Sequence, residues 1–346
     1  MPCAGHNITY GNDASSGKRN AAVKNLAKEI LNGSISAAAE LIRKVEEGCR
    51  DANDDLQALY PYTGRAYILG ITGLPGSGKS TIANLLIKHY RDKGMSVGVV
   101  AVDPSSPVSS GAILGDRVRM IEHSKDREVF IKSLATRGWY GGLSGSAARI
   151  INILDAMGKD VIILETVGVG QTEVSIMNFA HTTVLVLVPE MGDYVQTIKA
   201  GVLEIGDIFV INKTDKRDPG ELLVNMQSLL RNQDSAGGKA LWKQQIFLTS
   251  AAAGSGFDSL TGAIDGHRKY FEEFKKTDYL IKRADQELKD EIYSYFAGYF
   301  MRRLNEDKNY GKFIKQICSR QKDPYSISQE FIAKILGIKD GSLQEK

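Results

Sequence analysis

Cysteine is scarce and poorly placed for structural use. Of 346 residues only Cys3, Cys49 and Cys318 are cysteine, odd in number and far apart. Such a set builds neither a disulfide framework nor a metal-ligand cluster, and it points to a reducing compartment, the cytoplasm. Long hydrophobic runs are missing too. Val184 to Val188 is typical of the longest, far short of the roughly 20 residues of a membrane span. Neither sign of charge dominates: 44 basic against 41 acidic residues leave a net charge of +3. That balance gives no reason to expect nucleic acid as a partner, and the short runs give none to expect a membrane. The first twenty residues are polar, carry Asp13 among few basic residues and contain no apolar core, so no secretory signal is visible. What is left is an ordinary globular composition, 42% hydrophobic and 25% charged. The length suits one large domain with appendages, or two domains, and buries a substantial core.

One stretch organises the rest. Residues 68 to 81 read Ile-Leu-Gly-Ile-Thr-Gly-Leu-Pro-Gly-Ser-Gly-Lys-Ser-Thr. An apolar run (Tyr67 to Thr72) reads as a buried strand, and Ile82, Leu85, Leu86 and Tyr90 mark a helix after the turn. Between them Gly73, Gly78, Lys79 and Ser80 fit the phosphate-binding loop G-x-x-x-x-G-K-[ST]. Glycines let backbone N–H groups converge on phosphate oxygens, and the helix N-terminus adds a field favourable to the anion. Lys79 brings a positive charge for the β- and γ-phosphates, and the Ser80 hydroxyl can ligate Mg²⁺. Gly73, Leu74, Pro75, Gly76, Ser77, Gly78, Lys79, Ser80 and Thr81 are therefore the candidate phosphate-binding residues.

The rest of the chain fits an α/β fold: a mostly parallel sheet with helices on both faces, as in P-loop nucleotide hydrolases, plus helical N- and C-terminal extensions. Expected strands are Tyr67–Thr72, Val97–Val102, Val129–Ile131, Val161–Leu164, Thr183–Val188, Ile208–Ile211 and Ile246–Leu248, separated by helical patterns. Residues 1–64 read as a helical extension, with 1–20 a mobile arm, Gly33 a break and Ser36 an N-cap. Gly48 to Asp55 is polar, and Pro61 to Gly64 marks a turn. Residues 65–275 read as the nucleotide-binding domain, and residues 276–346 as a helical extension and dimerisation element.

Ligands of such sheets sit beyond the carboxyl ends of the strands, and there the informative residues fall. They are Asp103-Pro-Ser-Ser106 with Asp116, Glu165 through Gln171, Asn212-Lys-Thr-Asp215, and Ser250-Ala251-Ala252. A carboxylate placed as Asp215 accepts from both the ring N–H and the exocyclic amine of guanine. Adenine offers no such pair, and the unpaired carboxylate discriminates strongly. Lys213 can lay its aliphatic stem on the base. Ser250-Ala251 matches the companion loop closing over guanine.

With these residues in view, the chain resembles the methylmalonyl-CoA mutase-associated GTPases of the MeaB type, some of which carry the older name of arginine/ornithine transport kinases. The resemblance rests on Gly73–Thr81, Ala101-Val-Asp-Pro-Ser-Ser106, Ile113-Leu-Gly-Asp116 and Glu165-Thr-Val-Gly-Val-Gly-Gln171. It extends through Thr136-Arg-Gly138, Gly192-Asp193, Lys199-Ala-Gly201 and Glu204 to Asp215, covering about residues 24 to 275. It implies a homodimeric GTPase that gates delivery of adenosylcobalamin to methylmalonyl-CoA mutase and protects that enzyme, with GTP/GDP and Mg²⁺ as cofactors. It implies Lys79, Asp103 and Glu165 as catalytic residues, Ser80, Asp103, Asp116 and Glu165 around the metal, and Asn212, Lys213 and Asp215 at the base. The Gly192–Gly201 loop is implied to couple nucleotide state to the partner. Turnover without the partner is expected to be slow.

Some readings stay open at this point. Gln171 either positions the attacking water or contacts only protein. Trp139-Tyr140 replaces smaller residues of the family pattern, as an interface anchor or as packing under a loop. His181 stands where an acidic residue is usual and reads as structural. Leu280, Ala284, Leu288, Ile292, Phe296 and Tyr299 form a helical stripe, enriched by Tyr293, Tyr295 and Phe300, that buries against a second subunit or against its own nucleotide domain. A nickel-delivery GTPase would want a histidine-rich tract or paired cysteines, and five scattered histidines do not make one. A kinase would need an acceptor pocket with a base, which the sequence does not display.

Overall fold

The computed structural model describes residues 26–49, 51–103, 121–123, 125–135, 142–166, 178–189, 205–234 and 242–337. The arm expected over residues 1–20 lies outside the described residues.

Seven strands make up one sheet: β1 (Tyr67–Gly73), β2 (Val97–Asp103), β3 (Val129–Ala135), β4 (Val161–Thr166), β5 (Thr182–Leu187), β6 (Ile208–Ile211) and β7 (Gln245–Leu248). Their order is β3-β2-β4-β1-β5-β6-β7, and every pairing is parallel. The expected strands are all present. β3 is longer than expected because it pairs with β2 along its whole length, Val97↔Val129 through Asp103↔Ala135. Lys132 and Ser133 hide this extension by interrupting the apolar run. In the fold Ser133 is buried and the Lys132 ammonium pairs with Glu46 at 2.5 Å.

Side chains alternate between the two faces of the sheet, as strand geometry requires. On one face Tyr67, Leu69, Ile71, Val99, Ile163, Val184, Val186 and Val210 pack with Ile82, Leu86 and Tyr90 of α4 (Lys79–Asp92). Leu260 and Ile264 of α7 (Phe257–Tyr270) join the same cluster. On the other face Leu185, Leu187, Phe209 and Ile211 meet Leu222 and Met226 of α6 (Gly220–Asp234). Further along that face Ile68, Val100, Ile162 and Leu164 meet Ile150, Ile151 and Leu154 of α5 (Gly142–Ala156).

The N-terminal helices join this last cluster. They are α1 (residues 26–31), α2 (Ile35–Glu46) and α3 (Ala52–Leu59), and they contribute Ile30, Leu41, Ile42, Val45 and Leu59. The cap of α2 differs from expectation. Ser34, not Ser36, accepts the Ala37 N–H (3.3 Å), because its backbone is extended whereas Ser36 already lies within the helix. The polar stretch before Asp55 also enters a helix, since Ala52 and Asp55 turn inward.

The described residues divide into two compact units, one carrying the sheet and running to Glu287, the other beginning at Leu288. A π-helical turn (Phe271–Lys275) joins α7 to α8 (Lys276–Glu306). The second unit holds the end of α8, α9 (Tyr310–Cys318) and α10 (Pro324–Leu336). Within it, Ile327, Phe331 and Ala333 are buried. The N-cap Asp323 accepts from Ser326 N at 2.8 Å. Among the described residues no helix is long and apolar enough to cross a membrane.

Candidate functional site

The loop between β1 and α4 is built by close backbone approach. Gly73 ends β1 at φ +144°, and a Cβ there would lie 2.2 Å from the Val186 carbonyl oxygen of β5. Gly78 precedes α4 at φ +97°, and its Cβ would lie 2.2 Å from the Asn212 amide nitrogen. Both positions exclude any side chain. The turn thus delivers the first residues of α4, whose leading N–H groups lack intrahelical partners, to the carboxyl edge of the sheet.

Two of the candidate side chains sit at that helix start, both buried. Lys79 donates from Nζ to the Leu74 carbonyl at 2.9 Å, folding over the loop it belongs to. Ser80 donates from Oγ to Oε1 of Glu165 at 2.7 Å. Glu165 is buried near the end of β4, opposite Ile71 in the β1–β4 register. Beneath them the Thr166 hydroxyl donates to the Thr72 hydroxyl at 2.9 Å, pinning the two strand ends. Asp103 ends β2, one residue past the Val102↔Thr166 pair, so its backbone stands at the same edge.

A second set of polar residues follows β6. Asn212 is buried and donates from Nδ2 to the Ser77 carbonyl at 2.9 Å. Its Oδ1 accepts from Thr249 Oγ1 at 3.1 Å and from Ala251 N at 3.0 Å. One side chain therefore ties the β1–α4 loop to the turn after β7. Lys213 adopts φ +64°, and Thr214 donates through N and Oγ1 to the Thr249 carbonyl, each at 3.2 Å. Asp215 is exposed and accepts the Ser250 hydroxyl on Oδ1 at 2.5 Å. That hydrogen bond holds its carboxyl below the usual range, so it is an acceptor at neutral pH. Ala252 lies in the same turn, exposed beside buried Ala251.

Gly73 through Thr81, Glu165, Asn212, Lys213, Asp215, Ser250, Ala251 and Ala252 thus share the carboxyl edge of the sheet. Asp116, Gln171, Trp139, Tyr140, the 104–106 stretch and the 192–201 loop lie outside the described residues, as does the side chain of Asp103. Among the described residues no three His, Cys, Asp or Glu side chains cluster as metal ligands. Thr249 and the hydroxyl of Thr72 belong to no motif in the sequence, and adjacency to the motifs is their one signal. His181 is structural. Its Nδ1 accepts from Ile68 N at 3.2 Å, and burial lowers its pKa to about 3.

The model of the family described as methylmalonyl-CoA mutase-associated GTPase MeaB matches residues 38–306, most of the chain. The chain belongs to the MeaB family. Among relatives of this MeaB-family protein is a GTPase candidate of Pyrococcus horikoshii, 42% identical, with 91% of this chain and 99% of that one aligned. The GTPase ArgK of Escherichia coli is 31% identical over 73% of this chain and 80% of its own. A solved structure named LAO/AO transport system kinase superposes with a TM-score of 0.58, covering 95% of this chain and all of that one. At 21% identity it supports the shared fold. As a member of a GTPase family, the MeaB-family chain binds guanine nucleotide and hydrolyses GTP.

Proposed function

We propose that this GTPase times the loading of adenosylcobalamin onto methylmalonyl-CoA mutase, releasing or holding that enzyme according to whether GTP or GDP is bound. The observation that carries the reading is the match over residues 38–306 to a family named for its association with the mutase. In this reading Gly73–Thr81 cradle the phosphates, with Lys79 neutralising charge on the β- and γ-phosphates. Asp215 reads guanine, supported by its short hydrogen bond from Ser250. Asn212 keeps base loop and phosphate loop in fixed register through its three hydrogen bonds, while Lys213, Ala251 and Ala252 line the base.

The donor chemistry suits Mg²⁺. A buried hydroxyl and a buried carboxylate 2.7 Å apart are hard oxygen ligands, the kind this cation takes alongside retained waters. Ser80 and Glu165 would hold it, with Asp103 at the neighbouring strand end, and Asp116 is added to them by the family resemblance alone. Bound Mg²⁺ supplies charge neutralisation on the phosphate oxygens. The chain's own residues would position and desolvate: Lys79, Asp103 and Glu165 fix the reacting end at the sheet edge, and water attacks the γ-phosphorus as its bond to the β–γ bridging oxygen breaks, so that GDP leaves and the water's protons pass to the released phosphate and solvent. Turnover without the mutase is expected to be slow, with part of the catalytic set supplied from outside.

A homodimer belongs to the same reading. Leu288, Ile292 and Phe296, one helical face of α8, are 61%, 47% and 52% exposed, which supports a second copy as their cover. The test is capture of apo and cobalamin-loaded methylmalonyl-CoA mutase by the chain in GDP and in a non-hydrolysable GTP analogue. Binding is expected to differ with nucleotide and with cofactor loading. Equal capture in all four states removes the proposal.

A further inference from the structure

The amino edge of the sheet, opposite the phosphate loop, holds a cavity of about 450 Å³, a size in the range of small-molecule sites. Its wall is assembled from the approaches to three neighbouring strands: Tyr62 and Arg65 before β1, Met95 before β2 and Lys159 before β4. Lys159 is the anomaly in this wall. Its side chain is only 4% exposed, yet among the described residues its ammonium makes a single hydrogen bond, to the neutral Glu128 carbonyl at 3.0 Å. The one carboxylate oxygen within ion-pairing reach, Glu128 Oε2, stands 3.9 Å away on a side chain 58% exposed to water. An ammonium carries three donors, and a buried charge is stable only when paired and hydrogen-bonded. Burial accordingly pushes the Lys159 amine below the usual lysine range.

The other groups of the wall show which sign of charge is wanting. Its two carboxylates are already occupied. Asp155 accepts the three amides of residues 64–66, and Asp160 Oδ2 accepts Ser96 N at 2.7 Å and Ser96 Oγ at 2.8 Å. The last carbonyls of α5, whose partial charge would repel an anion, are taken too: Ile153 accepts from Met157 N, Leu154 from Lys159 N and Asp155 from Gly158 N. The cations keep donors in hand. Arg268 of α7 uses Nε on Glu272 at 3.2 Å and lays its guanidinium over the Tyr67 ring at 4.7 Å. Among the described residues its two terminal amino groups take no hydrogen bond, and the exposed Arg65 guanidinium takes no partner at all. Beside them Leu31, Tyr62, Met95 and Met157 give the cavity its apolar surface.

We propose that this cavity binds a small organic anion, a carboxylate or a phosphate monoester carrying an apolar or aromatic body. The anionic end supplies the acceptors that Lys159, Arg65 and Arg268 lack, and the body covers Tyr62 and its apolar neighbours. The site is separate from the nucleotide loops, which stand at the carboxyl edge of the same sheet. It does not depend on which protein the GTPase serves.

The test uses the full chain saturated with GDP and Mg²⁺, so that the phosphate loop is filled, and titrates it with phenyl phosphate, benzoate and inorganic phosphate by calorimetry. Phenyl phosphate or benzoate is expected to bind at one site per chain, and whichever binds more tightly names the head group. Arg65→Ala and Lys159→Met are each expected to weaken that binding about tenfold, the scale of one charged hydrogen bond. Arg65 lies at the surface, so its variant answers even where Lys159→Met fails to fold. Absence of binding by both aromatic anions overturns the site. Unchanged affinity in Arg65→Ala, or in a folded Lys159→Met, overturns it as well. Inorganic phosphate binding as tightly as phenyl phosphate overturns the apolar half of the assignment. A chain that fails to take up GDP would instead strike the nucleotide site.

Discussion

Asp215 and Asp55 show how differently a carboxylate behaves with its setting. Asp215 stands in the open with one hydroxyl donor, charged and ready to accept. Removing it by Asp215→Ala is expected to weaken GTP binding at least a hundredfold, the scale on which buried polar pairing discriminates, while weak ATP binding stays unchanged. Titration with fluorescent guanine and adenine nucleotides checks this. Asp55 is fully buried in α3 and accepts on Oδ1 from the Ala27 amide of α1 at 3.2 Å. Burial raises its pKa to about 6, against the pull of that amide and of Lys44, with Asp51 and Asp54 adding smaller upward pushes. A folded pKa above the unfolded value near 3.8 means the fold is most favoured below pH 4, and this contribution is lost as pH rises through 6. Asp55→Asn is therefore expected to stabilise the protein at pH 7 by about 2 kcal/mol. It should also flatten the stability profile between pH 4 and 7, read from urea melts across that range.

Among the elements, the joint below β1 carries a prediction of its own. Asp155 closes α5, is almost fully buried, and accepts three consecutive amides, Gly64 N at 2.6 Å, Arg65 N at 3.1 Å and Ala66 N at 2.9 Å. It sets the angle at which the chain enters β1. Asp155→Ala is expected to cost about 3 kcal/mol, since it strands several buried donors that had a charged acceptor, with guanine affinity kept where the protein folds. Thermal melts and nucleotide titration separate the two. Nothing in the sequence marked Asp155, because its partners lie some ninety positions away. The strands, by contrast, could be read directly: near-continuous Val and Ile runs have few alternatives to a parallel sheet covered on both faces. The phosphate loop and Asn212–Asp215 were equally open to reading, since their chemistry is local. The bridge from Asn212 to the Ser77 carbonyl, 135 positions apart, was not. That α2 is capped by Ser34, two residues before the expected Ser36, is settled only by backbone geometry. The π turn has no residue signature, because Phe-Glu-Glu-Phe-Lys is equally at home in an α-helix.

At the scale of the whole molecule the question is what covers α8. A helix of a lone globular chain shows an apolar stripe inward and charge outward. α8 has no fully buried residue, and Leu288, Ile292, Tyr293, Tyr295 and Phe296 are each at least 47% exposed. Leu288, Ile292 and Phe296 follow one another at intervals of four, so they share a single face, whereas Tyr293 and Tyr295 flank it. Contiguous apolar surface of this kind fits an interface, and a face that repeats identically in every copy is suited to a two-fold contact with itself. Residues near the symmetry axis would then meet their own counterparts, so a charge placed there repels its copy as well as losing apolar burial. Leu288→Glu combined with Phe296→Glu is expected to convert a species of twice the 37.8 kDa chain mass to the single chain, read by light scattering. Neither residue approaches the nucleotide loops in sequence, so GTP affinity is expected to hold. A single-chain mass for the unaltered protein would remove the dimer and leave this face to a different partner. An unchanged double mass in the variant would move the dimer contact elsewhere on the chain.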